Sequence, residues 1–271
     1  MLVDSHVNLH SEKFEEDLPD VVARAGQAGV CGMLTISDRI ASTDAVRRVV
    51  RRFADDVAIW RSVGAHPHYA IDHQDLTSDL LVDLAAEPDV VGIGECGLDF
   101  HYNHSPTQDQ LIAFDKHVEA AQETGLPLII HTRDADGEMR AALERAMAKR
   151  PFTPLLHCYT SGLALAETVM EMGGYAAFSG ILTFKNAEDV RAVAEALPLG
   201  RIIVETDCPY LAPAPMRGRR CEPAHLVHVV DKFAEIRGLT PAEAARATTD
   251  NFFALFKRAD RTAFDRVKAR T

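Results

Sequence analysis

Eight short apolar runs, each parted from the next by a stretch long enough for an amphipathic helix, constrain this chain more than any other feature. The runs fall at 2–6, 30–36, 58–65, 90–95, 127–131, 154–157, 175–179 and 202–207. Most are continuously apolar and do not alternate, as expected of strands in a parallel sheet covered on both faces. The stretches between them carry helical spacing. Residues 17–28 place Leu18, Val21, Val22 and Ala25 on one face, and residues 43–54 do the same with Val46, Val49, Val50 and Phe53. Ser105-Pro106 opens a helix running to about residue 124, with Gly125 as its C-cap. Further helices are predicted at 76–86, 136–148, 162–172 and 186–196, and two more at about 222–237 and 241–257. The last begins Thr240-Pro241-Ala242-Glu243, a capping box with proline at the first helical position. Eight strand–helix units with short connections predict an α/β fold, a (β/α)8 TIM barrel, as one domain over residues 1–271. No GxxxxGK loop supports a nucleotide-binding sheet instead.

Composition narrows the function classes. Hydrophobic residues at 47% suffice for a sizeable core, yet no apolar run reaches 18 residues, so no membrane span is expected. The opening MLVDSHVNLH has neither the basic nor the apolar region of a signal peptide. The 5 cysteines are odd in number and form no CxxC pair, which fits a reduced, cytoplasmic setting. A net charge of −11 argues against broad adhesion to nucleic acid, though a small basic mouth on an acidic body remains compatible with it.

The chemistry lies in the polar residues that close the apolar runs. His6 ends the first, Gly64-Ala65-His66-Pro67-His68 the third, Gly94-Glu95 the fourth, His131 the fifth, His157 the sixth and Asp207 the eighth. In a barrel these ends meet at one face, where active sites form. A lone histidine after a strand is ordinarily a satisfied rim residue, and a lone carboxylate a cap or ion-pair partner. Three histidines and two carboxylates, each on a different strand, are a different matter. Together they suit one or two divalent ions, Zn²⁺, Mn²⁺, Mg²⁺ or Ni²⁺. Cys96, Cys158 and Cys208 each directly follow one of these positions and are expected to pack behind the barrel wall.

On these and neighbouring residues the chain resembles the TatD-type metal-dependent hydrolases, within the amidohydrolase-like barrels, over nearly its whole length. The matching stretches are Asp4-Ser5-His6, Gly64 to His68, Gly92 to Asp99, Ile130 to Ala135, His157 to Gly162 and Glu205 to Pro213, with Arg217 to Arg220, Glu222-Pro223, Asn251 and Phe256 following. The resemblance implies that Glu95 bridges two metals, that His131 and His157 hold one, and that His6 and Asp207 hold the other. Asp207 would also orient or deprotonate the attacking water, and Glu95 and Asp207 would be the catalytic residues. It further implies phosphodiester hydrolysis of deoxyribonuclease type, exonuclease-like. One departure stands out: the family's His-x-His reads His6-Val7-Asn8 here. Amide oxygen is a poorer ligand than imidazole for zinc-like ions, so the ion beside His6 should bind more weakly. His10 is expected to lie too far past the strand to substitute.

Four residues are expected at the substrate: His68, Arg133, Tyr159 and Arg217. Arg133 would meet a phosphate, or else pair with Asp134 or Asp136; Tyr159 would use its hydroxyl. His66 is open between substrate, supporting and packing roles. Arg219 and Arg220 are expected to pair with Glu222 and other acids, and His101, Tyr102 and His104 lie in a loop that would cover the site. The expected partner is DNA or a small phosphodiester or ester, with the chain acting as a monomer. Two other readings stay open: a metal-dependent ester, lactone or aminoacyl-ester hydrolase, and a degenerate barrel that binds metal without catalysis.

Overall fold

The computed structural model describes residues 1–269. Its 8 strands lie in sequence order in one parallel sheet: β1 (Leu2–Val7), β2 (Val30–Thr35), β3 (Ala58–Val63), β4 (Val90–Asp99), β5 (Leu128–Arg133), β6 (Pro154–Leu156), β7 (Tyr175–Phe178) and β8 (Ile202–Val204). A parallel bridge between Val7 and Cys208 brings the last strand back to the first. The result is a nearly closed barrel. Around it run α1 (Leu18–Gln27), α2 (Thr43–Phe53), α3 (Ser78–Ala85), α4 (Thr107–Thr124), α5 (Asp136–Lys149), α6 (Leu163–Glu171), α7 (Glu188–Ala196), α8 (Leu226–Arg237), α9 (Pro241–Leu255) and α10 (Arg261–Lys268). No helix among the described residues is long and apolar enough to cross a membrane.

Two apolar cores follow from the strand alternation. One lies between strands and helices. The other, with Val3, Leu34, Trp60, Val91, Ile129, Leu155 and Ile203, fills the barrel and is closed from below by Phe252 of α9, Phe256 at its C-cap and Phe264 of α10. Helix α10 was not anticipated. It is short, and only Phe264 and Val267 of it are buried, too few to mark a period. The predicted caps are present: Gly125 is left-handed at the end of α4, and Thr240 and Glu243 bond reciprocally at the start of α9.

Three departures from regular strand geometry aim side chains into the mouth. In β1 the register shifts between Asp4 and Val7. Val3 faces the barrel interior and Val7 the helices, so the shift reverses the strand's phase and turns His6 inward. Strand β4 runs on past Glu95 to Asp99, paired with β5 as far as Arg133. The close pairing needs Gly97, with φ at 141°, because a Cβ there would stand 1.9 Å from the His131 carbonyl. Strand β8 stops at Val204, short of the expected Asp207. Beyond it the Asp4 carboxylate accepts from Thr206 N–H and Thr206 O–H, at 2.9 and 2.7 Å, in place of a ladder partner.

Behind the end of β3, His117 of α4 is fully buried. Its Nε2 accepts the Ala65 N–H at 3.0 Å, and its Nδ1 donates to the Ala113 carbonyl at 2.7 Å. Burial pushes its pKa down to about 4. The unfolded state therefore takes up this proton first as pH falls. The contribution is complete above pH 6.5 and is lost as pH drops from there toward 4, by about 3 kcal/mol at most. The His117→Gln variant should unfold with a shallower pH dependence across that window, by up to one proton, in urea titrations followed by circular dichroism. Parallel curves for the two proteins would show that His117 does not control acid stability.

Candidate metal centre

Glu95 sits at the middle of the mouth. Its Oε1 lies 3.3 Å from His66 Nε2, 3.2 Å from His131 Nδ1 and 3.3 Å from His157 Nε2, and its Oε2 lies 3.2 Å from His6 Nε2. Asp207 Oδ1 is 3.8 Å from the same His6 nitrogen. The structure thus brings together His6, Glu95, His131, His157 and Asp207, and adds His66. The His6 and His157 rings stack at 3.7 Å.

Carboxylates behind the pocket fix two of the rings. Glu205 Oε1 lies 2.8 Å from His157 Nδ1 and also accepts the Cys158 N–H. Asp99 Oδ2 lies 3.2 Å from His131 Nε2 and 2.8 Å from His68 Nε2, while its Oδ1 accepts from Tyr102 N–H. A carboxylate only accepts, so His157 carries a proton on Nδ1 and His131 on Nε2. The other nitrogen of each ring faces Glu95 and would give a lone pair to a cation bound between them. The sequence reading did not single out Glu205 or Asp99. Each lies at even spacing from a site residue, Glu205 from Asp207 and Asp99 from Glu95, which is the signal that could have found them.

The electrostatics follow from this crowding. Burial alone would raise Glu95, but His66, His157 and His6 hold it well below the usual carboxylate range. Burial would lower His157, yet Glu205 and Glu95 outweigh it and raise the ring well above the ordinary imidazole value. Asp207 is pushed up to about 6 by burial, against the pull of His157 and His6. Burial takes His66 down to about 4.

The residues present suit a metal ion. Both His6 nitrogens are buried with no hydrogen-bond partner among the described residues, a costly state unless something else takes their lone pair. Ligand atoms of His6, His157 and Glu205 lie within 4.8 Å of one another, as do those of His66, Glu95 and His131, and of His157, Cys158 and Asp207. Imidazole and carboxylate together fit zinc-like and manganese-like divalent ions. Cys158 corrects the expectation that it packs behind the wall. It follows the end of β6 with φ at 42°, so strand alternation no longer governs where its thiol points. Cys96 and Cys208 are fully buried, as expected.

At position 8 the amide nitrogen of Asn8 donates to the Cys208 carbonyl at 3.2 Å. His10 is 3.1 Å from Asp38. Of the residues expected at the substrate, His68 stands at the rim on Asp99. Arg133 lies over the exposed Tyr102 ring at 4.7 Å and lines a cavity of 460 Å³ with Asp134, Asp136, Thr160 and Ser161. Its guanidinium makes no ion pair among the described residues; Asp134 is bonded to His101 instead. Tyr159 and Arg217 are engaged by their own loops. The Tyr159 hydroxyl is taken by the Gly162 carbonyl at 2.5 Å, and the ring is buried. Arg217 donates to the Ala212 carbonyl at 3.0 Å and lies over Phe184 at 3.8 Å. Both groups satisfy their own loops. Arg220 pairs with Asp17 and Glu222 as expected.

Residues 3–257 match the family of TatD related DNases. The chain is 35% identical over 258 residues to the uncharacterized metal-dependent hydrolase YabD of Bacillus subtilis, covering 95% of this chain and 99% of that protein. It is 34% identical over 260 residues to the 3'-5' ssDNA/RNA exonuclease TatD of Escherichia coli, covering 94% and 98%. Among solved structures, the TatD homologue YjjV of Escherichia coli superposes with a TM-score of 0.83 at 24% identity, covering 94% and 98% of the two chains. That likeness shows the fold.

Glu205 and Asp99 should matter to ion affinity without touching the ion. Replacing either by alanine frees a ring to turn and lowers its basicity. Affinity for Mn²⁺ or Zn²⁺, measured by chelator competition, should fall about 10- to 100-fold. An unchanged affinity would mean that packing alone orients these rings.

Proposed function

The chain belongs to the TatD-related DNase family of metal-dependent hydrolases, and on that premise we propose that it cleaves phosphodiester bonds of single-stranded nucleic acid from an end. The observation that supports this most is the convergence of His6, Glu95, His131, His157 and Asp207 around one buried pocket. In this reading Glu95 would help to hold two ions. His131 and His157 would hold one with it, and His6 and Asp207 the other. Bound there, divalent ions supply Lewis acidity that makes water nucleophilic near neutral pH and offsets charge on the phosphate oxygens.

The protein's own groups do the rest. Asp207, poised near neutral pH by its burial, takes the proton from the attacking water. Asp99 and Glu205 hold the rings so that their lone pairs stay aimed inward. Arg133, with no carboxylate partner among the described residues, and His68 at the rim take the substrate's phosphates. The exonuclease activity named for the Escherichia coli relative supports the choice of substrate.

The test uses single-stranded DNA labelled at its 3′ or 5′ end, with EDTA, Mg²⁺, Mn²⁺ or Zn²⁺. Metal-dependent shortening is expected, slowed roughly a hundred- to thousandfold in Glu95→Ala and in Asp207→Ala. Folded, metal-loaded protein that leaves DNA intact but hydrolyses carboxylic esters would overturn the nuclease reading.

Asn8 gives a second expectation. Its amide nitrogen is committed to Cys208, and it offers no imidazole beside His6. Titrating Mn²⁺ into apo-protein should show one tight and one weaker site, and Asn8→His should tighten the weaker by about tenfold or more. Two equally tight sites in the wild type would contradict this.

A further inference from the structure

His66 is the one imidazole around Glu95 whose hydrogen bonding runs the other way. The residue caps the 3₁₀ turn Pro67–His73, and its Nδ1 accepts the backbone N–H of His68 at 3.1 Å. A backbone N–H only donates, so Nδ1 must carry a lone pair and the ring's proton must sit on Nε2. That nitrogen is the one facing the pocket, 3.3 Å from Glu95 Oε1. In His131 and His157 the outer nitrogen meets a carboxylate acceptor and carries a proton, so the inner nitrogen can give its lone pair to a cation by losing a proton. On distance alone His66, Glu95 and His131 could share an ion, since their ligand atoms lie within 4.8 Å. The cap separates them: with Nδ1 already accepting, a neutral His66 has only an N–H to turn toward the pocket, whereas His131 and His157 can each free a lone pair there.

We propose that His66 is not a metal ligand but a substrate-binding hydrogen-bond donor, its Nε2–H taking a non-bridging oxygen of the phosphate at the pocket. The assignment rests on the phosphodiesterase reading for the identity of the oxygen. The donor itself follows from the cap. The ring is well placed for it, held 4.3 Å from His68 and 4.7 Å from His131, with its side chain 14% exposed. A donor fixed by a backbone cap needs no reorganisation when charge builds on the oxygen it faces. Glutamine at this position presents an amide N–H close to where Nε2 lies, whereas alanine presents none.

The experiment compares wild type, His66→Ala, His66→Gln and His131→Ala. Each is loaded with Mn²⁺ and measured for metal content, metal affinity and binding of inorganic phosphate, with thermal melting as the check of folding. His66→Ala should keep wild-type metal content and affinity while binding phosphate about ten- to hundredfold more weakly. His66→Gln should recover much of that loss, and His131→Ala should lose metal. On labelled single-stranded DNA, His66→Ala should fall in kcat/KM by a similar factor. Metal loss in His66→Ala matching that of His131→Ala would make His66 a ligand and overturn the proposal. Unchanged phosphate binding in His66→Ala, or no phosphate binding by the wild type, would overturn it too. Failure of the nuclease reading registers separately, as intact DNA with the wild type.

Discussion

Glu95 is an ionised carboxylate withdrawn from water, with nitrogens of four imidazoles 3.2 to 3.3 Å from its oxygens. Removing such a group from water costs several kcal/mol even after the protein relaxes. The surrounding rings cannot answer by all becoming charged. The His6 and His157 rings are 3.7 Å apart, and those of His66 and His131 4.7 Å, so their charges would repel. Positive charge concentrated on a divalent ion beside the rings and the carboxylate would meet the same need with fewer like-charge contacts. Glu205 and Asp99, buried behind His157 and His131, would then hold each ring with its inner nitrogen toward that ion.

The barrel supplies this arrangement by departing from regularity at its mouth. The register also shifts lower down, between Leu2 and Val3 and between Arg61 and Ser62, but those shifts lie in the packed core. At the mouth the irregular backbone includes the shifted register of β1 beside His6, the positive φ of Gly97 beside His131, and the left-handed Cys158 and Asp207 beside the pocket. A left-handed conformation costs an ordinary residue about 1–2 kcal/mol, less for Asp. The neighbouring network repays it, as at Cys158, whose N–H is bonded to Glu205. Strain and function coincide here because a regular strand would send consecutive side chains to opposite faces.

Much of this was legible in the sequence, for a physical reason. Parallel strands covered on both sides leave unbroken apolar runs, and a barrel brings their polar ends to one place. The convergence of His6, Glu95, His131, His157 and Asp207 could therefore be expected from the chain alone. What could not be read were properties settled by local backbone. The proton on His66 depends on which N–H meets its outer nitrogen. The placement of Cys158 depends on a left-handed residue after β6. Tyr159 and Arg217 carry the right groups for a substrate, but carbonyls of their own loops reach them first. Helix α10 buries two side chains and so leaves almost no pattern.

The acidic body need not oppose a phosphate-bearing substrate. With a net charge of −11, the distant field repels polyanions, but at physiological ionic strength it is screened within about 8 Å. Contacts inside that distance decide affinity, and at the mouth the arginines differ in what is left of their charge. Arg220 is tied to Asp17 and Glu222, and Arg39 lies near Asp38. Arg217 spends a donor on Ala212. Arg133 alone of these four faces an aromatic ring and an open cavity with no carboxylate partner among the described residues. It stands on the side of the mouth that also holds His68, Tyr102 and His104, where the Tyr102 and His104 rings lie nearly parallel, 5.5 Å apart. Repulsion at long range with a few uncompensated donors at short range favours a substrate that presents a terminus and a few phosphates. A long duplex would expose many charges to the acidic flanks. On the nuclease reading proposed above, such a substrate would be a strand end.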